Sequence, residues 1–269
     1  MSLAEAKAGY ARLIARAPGV DDPRVCQAFA AVPRERYVGP GPWKALREEG
    51  YVESPDADPA FLYDDVVIAL LPEKRINNGQ PTLHARCLSA ARVRAGERVL
   101  HIGCGTGYYT AVLAELVSAG GEIEAWDIEP ELVSRAAENL KERAGVKVAL
   151  RDAATATIPP RDLIYVCAGC TRPIRAWAEA LSEGGRLLFP LTPGWGHGAM
   201  LMVTRSAGRF AAELVCRCAF IPSVGASNAT EEASIVTAFE RDAAISSLHF
   251  GPGPPPGGSW LAGNGWWIQ

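Results

Sequence analysis

Gly103-Cys104-Gly105-Thr106-Gly107 follows an apolar run, Val99 to Ile102, and precedes a helical pattern carrying Ala111, Leu113, Ala114, Leu116 and Val117. Glycines at alternate positions allow a sharp turn and let a ligand approach main-chain N–H groups beside a helix N-terminus. A second strand ends in Asp127, where a carboxylate can accept hydrogen bonds from ribose hydroxyls. A nucleoside is therefore the expected ligand. A dinucleotide loop reads G-x-G-x-x-G, whereas here the third glycine is Gly107 and the bulky Tyr108 stands where a dinucleotide site needs a small residue. The spacing points to S-adenosylmethionine and not NAD. Expected cofactor contacts are Gly103, Cys104, Gly105, Thr106, Gly107, Asp127 and Ile128, with His84 from an upstream helix. Asp152 and Ala153, after a third strand from Val146 to Leu150, are expected to receive the adenine amino group, the alternative being a solvated strand-end turn.

Upstream, Arg75-Ile76-Asn77-Asn78-Gly79-Gln80-Pro81 is polar and turn-like and leads into a helix over Thr82 to Ala91. Two amides and an arginine just before the cofactor unit make Asn77, Asn78 and Gly79 candidates for an acceptor-side wall, and the same residues read equally as a plain turn. His84 either faces the cofactor or packs. Cys167-Ala-Gly-Cys170 has CxxC spacing, but no second pair of Cys or His completes four ligands, so no metal is expected. Cys216 and Cys218 share a strand face, which suggests packing. Seven cysteines, an odd number spread over core-like segments, read as reduced thiols and not as a secreted framework.

The elements that must hold these residues follow from periodicity. Leu3, Ala6, Tyr10, Leu13 and Ile14 mark a helix over residues 1–17, and a second fits Asp22 to Ala31, with Asp21 or Asp22 as its cap and Pro23 in its first turn. Loop and turn chemistry is expected from there through Asp58, then a short apolar run from Leu62 to Leu71. Beyond Asp127, a helix is expected over Glu131 to Arg143, a strand over Asp162 to Ala168, a helix from Pro173 to Leu181 broken by Gly184-Gly185, and a strand over Arg186 to Leu191. Met200 to Arg205 and Phe210 to Phe220 read as an antiparallel hairpin. A helix or strand is expected near Ala233 to Arg241, a linker over Gly251 to Gly258, and a docked, Trp-rich end that covers a sheet edge or acts as an aromatic lid or dimer contact. The expected fold is α/β and Rossmann-like, with a mostly parallel central sheet, a C-terminal antiparallel hairpin and an N-terminal helical extension. Its expected divisions are residues 1–80, 81–226 and 227–269. A net charge of −3 gives no electrostatic footprint for nucleic acid, and no run reaches the roughly 18 apolar residues of a membrane span. A cytoplasmic location is expected.

Four segments, the glycine loop among them, carry a resemblance to the protein-L-isoaspartate O-methyltransferase family. They are Ala28-Phe29-Ala30-Ala31-Val32-Pro33-Arg34-Glu35-Arg36-Tyr37-Val38, the glycine loop with Pro130-Glu131-Leu132 and Glu138-Asn139-Leu140, Gly184-Gly185-Arg186-Leu187 through Phe189-Pro190, and Phe220 to Gly225. The resemblance spans about Arg24 to Ala226. It implies an S-adenosylmethionine-dependent transfer of methyl to a carboxylate of a peptide or protein, with isoaspartate the leading acceptor. One departure stands out: the serine with which that family contacts the acceptor carboxylate falls at Gly79, and its preceding Thr-Ile pair at Asn77-Asn78. The amides of Asn77 or Asn78, or Arg75, are the donors that could replace the hydroxyl. The alternatives are another carboxylate, a small molecule for which His84 or His197 would be the base, or a cofactor-binding module without transfer.

Overall fold

Ser2 Oγ accepts the Glu5 N–H and the Glu5 carboxylate accepts the Ser2 N–H, a reciprocal cap that opens α1 (Leu3–Arg16). Asp22 caps α2 (Pro23–Ala31) in the same way that its sequence suggests, by accepting the Arg24 N–H. In this computed structural model, which describes every residue except Trp195, Asp242 and residues 253–256, the chain continues through α3 (Glu35–Val38), β1 (Lys44–Arg47), β2 (Gly50–Glu53), β3 (Ala69–Leu71), β4 (Ile76–Asn77) and α4 (Pro81–Ala91). Strand and helix then alternate: β5 (Arg98–Ile102), α5 (Tyr108–Val117), β6 (Glu122–Asp127), α6 (Pro130–Leu140), β7 (Val146–Leu150), β8 (Arg161–Val166), α7 (Arg175–Glu179) and β9 (Leu181–Leu191). The last third comprises β10 (Gly198–Ser206), β11 (Arg209–Cys218), α8 (Glu232–Glu240), β12 (Ser247–Phe250), β13 (Leu261–Gly263) and β14 (Trp266–Ile268). No helix among the described residues is long and apolar enough to cross a membrane.

Two compact units result, Met1–Glu97 with Cys104–Leu150, and Arg98–Gly103 with Arg151–Gln269. The expected flanking segments, 1–80 and 227–269, each fall inside one unit, and 81–226 is divided between both. In the first unit, Tyr10 and Ile14 of α1, Val25 and Phe29 of α2 and Val112 and Leu113 of α5 are buried. β6 and β7 pair in parallel, and β3 pairs antiparallel with β4. In the second unit, neighbouring strands run β13-β14-β12-β11-β10-β9-β8-β5, with β5, β8 and β9 parallel and the rest antiparallel. Leu163 to Val166 of β8 are fully buried, as a strand covered on both faces requires.

The structure departs from the sequence reading in four places. Where only loop was expected, Lys44 to Glu53 forms the β1–β2 hairpin, with Lys44 opposite Glu53 and Leu46 opposite Tyr51. The polar turn before α4 contains the short strand β4. The helix expected from Pro173 to Leu181 shrinks to α7, and Gly184-Gly185 lies inside β9 instead of breaking the chain before it. A Cβ on Gly185 would meet the carbonyls of Ser182 and Arg161 at 2.8 and 3.0 Å, so this glycine marks a close backbone approach beside a register shift between β8 and β9. The antiparallel part also extends past the expected hairpin. β12 pairs with the β11 edge, β14 with β12 and β13 with β14, so the Trp-rich end docks as strands. Of the linker expected over Gly251 to Gly258, residues 253–256 lie outside the described residues.

His101 on β5 is 1 % exposed, stacks on Tyr165 and places Nε2 3.3 Å from Cys167 Sγ. Burial pushes its pKa from 6.5 down to about 3. The folded chain therefore keeps this imidazole neutral while the unfolded chain protonates it. Its contribution to stability is complete above about pH 6.5 and is lost as pH falls toward about 3. Urea unfolding should show a loss of about 2 kcal/mol between about pH 7.5 and about pH 5 from this group, and His101→Phe should flatten that slope. An unchanged slope in the variant would assign the acid sensitivity elsewhere.

Candidate cofactor and acceptor site

The loop that holds the candidate acceptor residues is placed by a buried cation. Arg34, fully buried, donates from its guanidinium to the carbonyls of Leu62, Asp64 and Val66, the last two at 2.7 and 3.0 Å. Its charge also lies over the rings of Tyr10 and Tyr108, 5.4 and 5.6 Å from their centroids. The turn held in this way presents Asp65, whose carboxylate accepts the Thr82 N–H at 2.9 Å, the Thr82 hydroxyl at 2.6 Å and the Gln80 amide at 2.6 Å. Gln80 gives α4 no side-chain cap of its own, so Asp65 satisfies the helix start from a distance.

Between that turn and α4 lie the three candidate acceptor residues. Asn77 Oδ1 accepts the Gly79 N–H at 2.9 Å, a local turn bond, and its Nδ2 donates to the Tyr51 hydroxyl at 3.4 Å. Asn78 is fixed against Ile68: its N–H donates to the Ile68 carbonyl, and its Oδ1 accepts the Ile68 N–H at 2.8 Å. With the oxygen committed, Nδ2 is left as a buried donor with no partner among the described residues, on a residue 8 % exposed. Gly79 adopts φ +70°, and a Cβ there would fall well inside van der Waals contact with His84 Nε2. His84, 2 % exposed on α4, stacks on Tyr109 with ring centroids 3.6 Å apart, and the Tyr109 hydroxyl donates to the Gly79 carbonyl at 3.2 Å. Imidazole, phenol and glycine thus form one packed cluster. Neither Tyr109 nor Asp65 was singled out from the sequence; the tyrosine follows the glycine loop directly, which was the available signal, and the aspartate had none.

The glycine loop is tied to the acid that follows it. Gly105 N–H donates to Asp127 Oδ2 at 2.8 Å, while Ile128 and Glu129 N–H groups donate to Oδ1 at 2.8 and 3.1 Å. Burial raises the Asp127 carboxyl above its ordinary pKa, and these three N–H donors pull the other way. A carboxylate has about four lone-pair positions, so one on Oδ2 remains for a ribose hydroxyl. Cys104 N–H donates to the Trp126 carbonyl, Gly107 N–H to that of Cys104, and Asn139 Nδ2 to that of Thr106. Thr106 is buried, whereas Ile128 is 41 % exposed. These bonds hold the backbone loop open beside the α5 N-terminus, and the donor set fits a nucleoside.

Three expected cofactor residues belong to the second unit. Gly103 packs its backbone against Cys167. Asp152 Oδ1 accepts the Ala154 N–H at 2.9 Å, closing a strand-end turn, and the buried Ala153 gives its carbonyl to the Trp177 indole at 2.8 Å. His197 is exposed.

Residues 12–228 match the family model described as protein-L-isoaspartate (D-aspartate) O-methyltransferase. The chain belongs to this family. A protein-L-isoaspartate O-methyltransferase 2 of Anaeromyxobacter sp. (strain Fw109-5) is 34 % identical over 212 residues, covering 77 % of this chain and 78 % of that protein. A protein-L-isoaspartate O-methyltransferase of Ignicoccus hospitalis is 30 % identical over 208 residues, covering 74 % and 88 %. Among solved structures, a protein-L-isoaspartate O-methyltransferase superposes with a TM-score of 0.70 at 20 % identity, covering 91 % of this chain and 74 % of that one. A Plasmodium falciparum structure described as a putative protein-L-isoaspartate O-methyltransferase, in complex with S-adenosyl-L-homocysteine, gives 0.65 at 17 % identity over 81 % and 97 %. The fold is the Rossmann-like one of S-adenosylmethionine-dependent methyltransferases, and members of the family bind that cofactor.

Gly79→Ala should be more damaging than a glycine-to-alanine change in an open turn. It imposes positive φ on a residue with a Cβ and drives that Cβ into His84, for a loss of about 1–3 kcal/mol. Thermal unfolding of Gly79→Ala beside Gly79→Ala/His84→Ala checks this: the double variant should recover part of the loss, and no recovery would exclude the imidazole as the obstacle.

Proposed function

We propose that the chain transfers methyl from S-adenosylmethionine to the free carboxylate of an isoaspartyl residue in a peptide or protein. The observation that carries this reading is the family match over residues 12–228. The cofactor supplies a methyl group on a sulfonium, and an acceptor carboxylate is already ionised near neutral pH. No side chain is required to take a proton. What the chain contributes is alignment of the two reactants and exclusion of water.

Asp127 holds the ribose through its remaining Oδ2 lone pair, and Gly105 keeps that oxygen oriented. Ile128, which follows Asp127 directly, is assigned to the adenine. His84 borders the methyl-donor side, held flat by Tyr109. The acceptor carboxylate is taken by Asn78 Nδ2. A buried amide donor without a partner costs about 1–3 kcal/mol, a cost removed when an anion arrives, and a hydrogen bond to a charged group is among the stronger ones. Asn77 and Gly79 shape the turn that aims it, so the amide takes over the part of the absent hydroxyl.

A matched pair of peptides, one isoaspartyl and one aspartyl at the same position, tests the reading through base-labile methyl ester. Ester confined to the isoaspartyl peptide is expected. Ester on neither, with the cofactor still bound, would move the acceptor to another carboxylate. Asp127→Ala should weaken S-adenosylmethionine binding by about 1–3 kcal/mol in calorimetry, roughly fivefold to a hundredfold or more in Kd. An unchanged affinity would remove Asp127 from the ribose.

A further inference from the structure

We infer that the free edge of β2 is a docking strand for an extended segment of the acceptor polypeptide, next to the loop that takes its carboxylate. The inference rests on the acceptor being a polypeptide, as proposed above.

The register fixes which backbone groups face outward. Ser54 N–H donates to the Trp43 carbonyl, and Glu48-Glu49 forms a two-residue turn between Arg47 and Gly50. In an antiparallel pair, hydrogen-bonded and non-hydrogen-bonded positions alternate. The bonded pairs are then Trp43 with Ser54, Ala45 with Val52 and Arg47 with Gly50, so Leu46 opposite Tyr51 and Lys44 opposite Glu53 turn their backbones away from each other. On the β1 side this is visible directly, because Leu46 N–H reaches across to the Val67 carbonyl at 2.8 Å. On the β2 side, the N–H and C=O groups of Tyr51 and Glu53 carry no hydrogen bond among the described residues. The edge is a short template of alternating donors and acceptors, and an extended backbone is its complement.

Three observations favour the acceptor as occupant. The edge is continuous with the acceptor loop: the Tyr51 hydroxyl donates to the Arg75 carbonyl and receives the Asn77 amide, each at 3.4 Å. Val52, 53 % exposed, and Leu46, 41 % exposed, offer apolar contact on opposite faces of the hairpin. Lys44, Arg47, Glu48, Glu49 and Glu53 mix both signs and select no charge. Recognition through backbone alone tolerates any flanking sequence, which suits an acceptor defined by one damaged residue and not by its neighbours.

Amide hydrogen exchange of the whole protein, read with and without isoaspartyl peptides of about twelve and about four residues, tests this; strands rise about 3.3 Å per residue, so only the longer can reach along the edge. Exchange at Tyr51 and Glu53 should slow with the longer peptide, and that at Val52, already bonded to β1, should not change. Glu53→Pro removes one outward N–H without touching the β1 ladder. Relative to Glu53→Ala, it should raise KM for the longer peptide about threefold to tenfold with kcat and the shorter peptide's KM alike in the two variants. Unaltered exchange, or an equal KM change for both lengths, would overturn the inference. Slowing that grows with protein concentration in the absence of peptide would give the edge to a second copy and overturn it too. Exchange reads docking whether or not ester forms, so slowed amides without ester would sink the methyl-transfer reading alone.

Discussion

The loop that leads into α4 hangs on one buried guanidinium. A cation removed from water is costly unless its donors are met, and the two terminal nitrogens of Arg34 meet three backbone carbonyls and its charge lies over two aromatic faces, while its Nε has no partner among the described residues. Backbone carbonyls are chosen here over a carboxylate partner, which ties the charge to the path of the chain and not to another side chain. The path it fixes carries Asp65, and Asp65 fixes where α4 begins. Because α4 bears His84 and follows directly on Asn77-Asn78-Gly79, the position of the candidate site is set by an interaction that touches none of its residues.

The site divides its work between side chains that are spent and side chains that are not. Asp127 is mostly spent, with one lone pair holding the glycine loop through Gly105 and two taken by the N–H groups of Ile128 and Glu129, so the oxygen proposed to meet the ribose is already oriented. Asn78 is half spent: its oxygen locks the loop to Ile68, and its nitrogen has no partner among the described residues. Rigidity and reactivity toward a ligand thus come from opposite ends of the same amide. Asn77, by contrast, uses its oxygen in the turn, which is what the plain reading of an Asn-Asn-Gly sequence anticipates.

The strand–helix alternation was legible in the sequence because its signals are periodic and local. The ends of β6 and β7 fall at Asp127 and Leu150 as read, and α2 starts at its Asp-Pro signal. The hairpin β1–β2 was not legible, since two four-residue strands of mixed charge give no alternation long enough to stand out from a turn. Gly184-Gly185 misled for another reason: a glycine pair reads as a break, but here it lets backbones pass closely within one strand. The Trp-rich end was legible as something that docks, and only pairing could say that it docks by adding strands. At the acceptor loop the sequence showed which side chains were present and not which were already occupied, and that distinction separates Asn78 from Asn77.

The close approach of Gly79 and His84 also constrains how this loop can change over generations. A side chain at position 79 meets the imidazole that fills the space beside it, and the imidazole is held there by its stack on Tyr109. A side chain at 79 is therefore less costly once residue 84 is smaller or turned, which favours one order of the two substitutions.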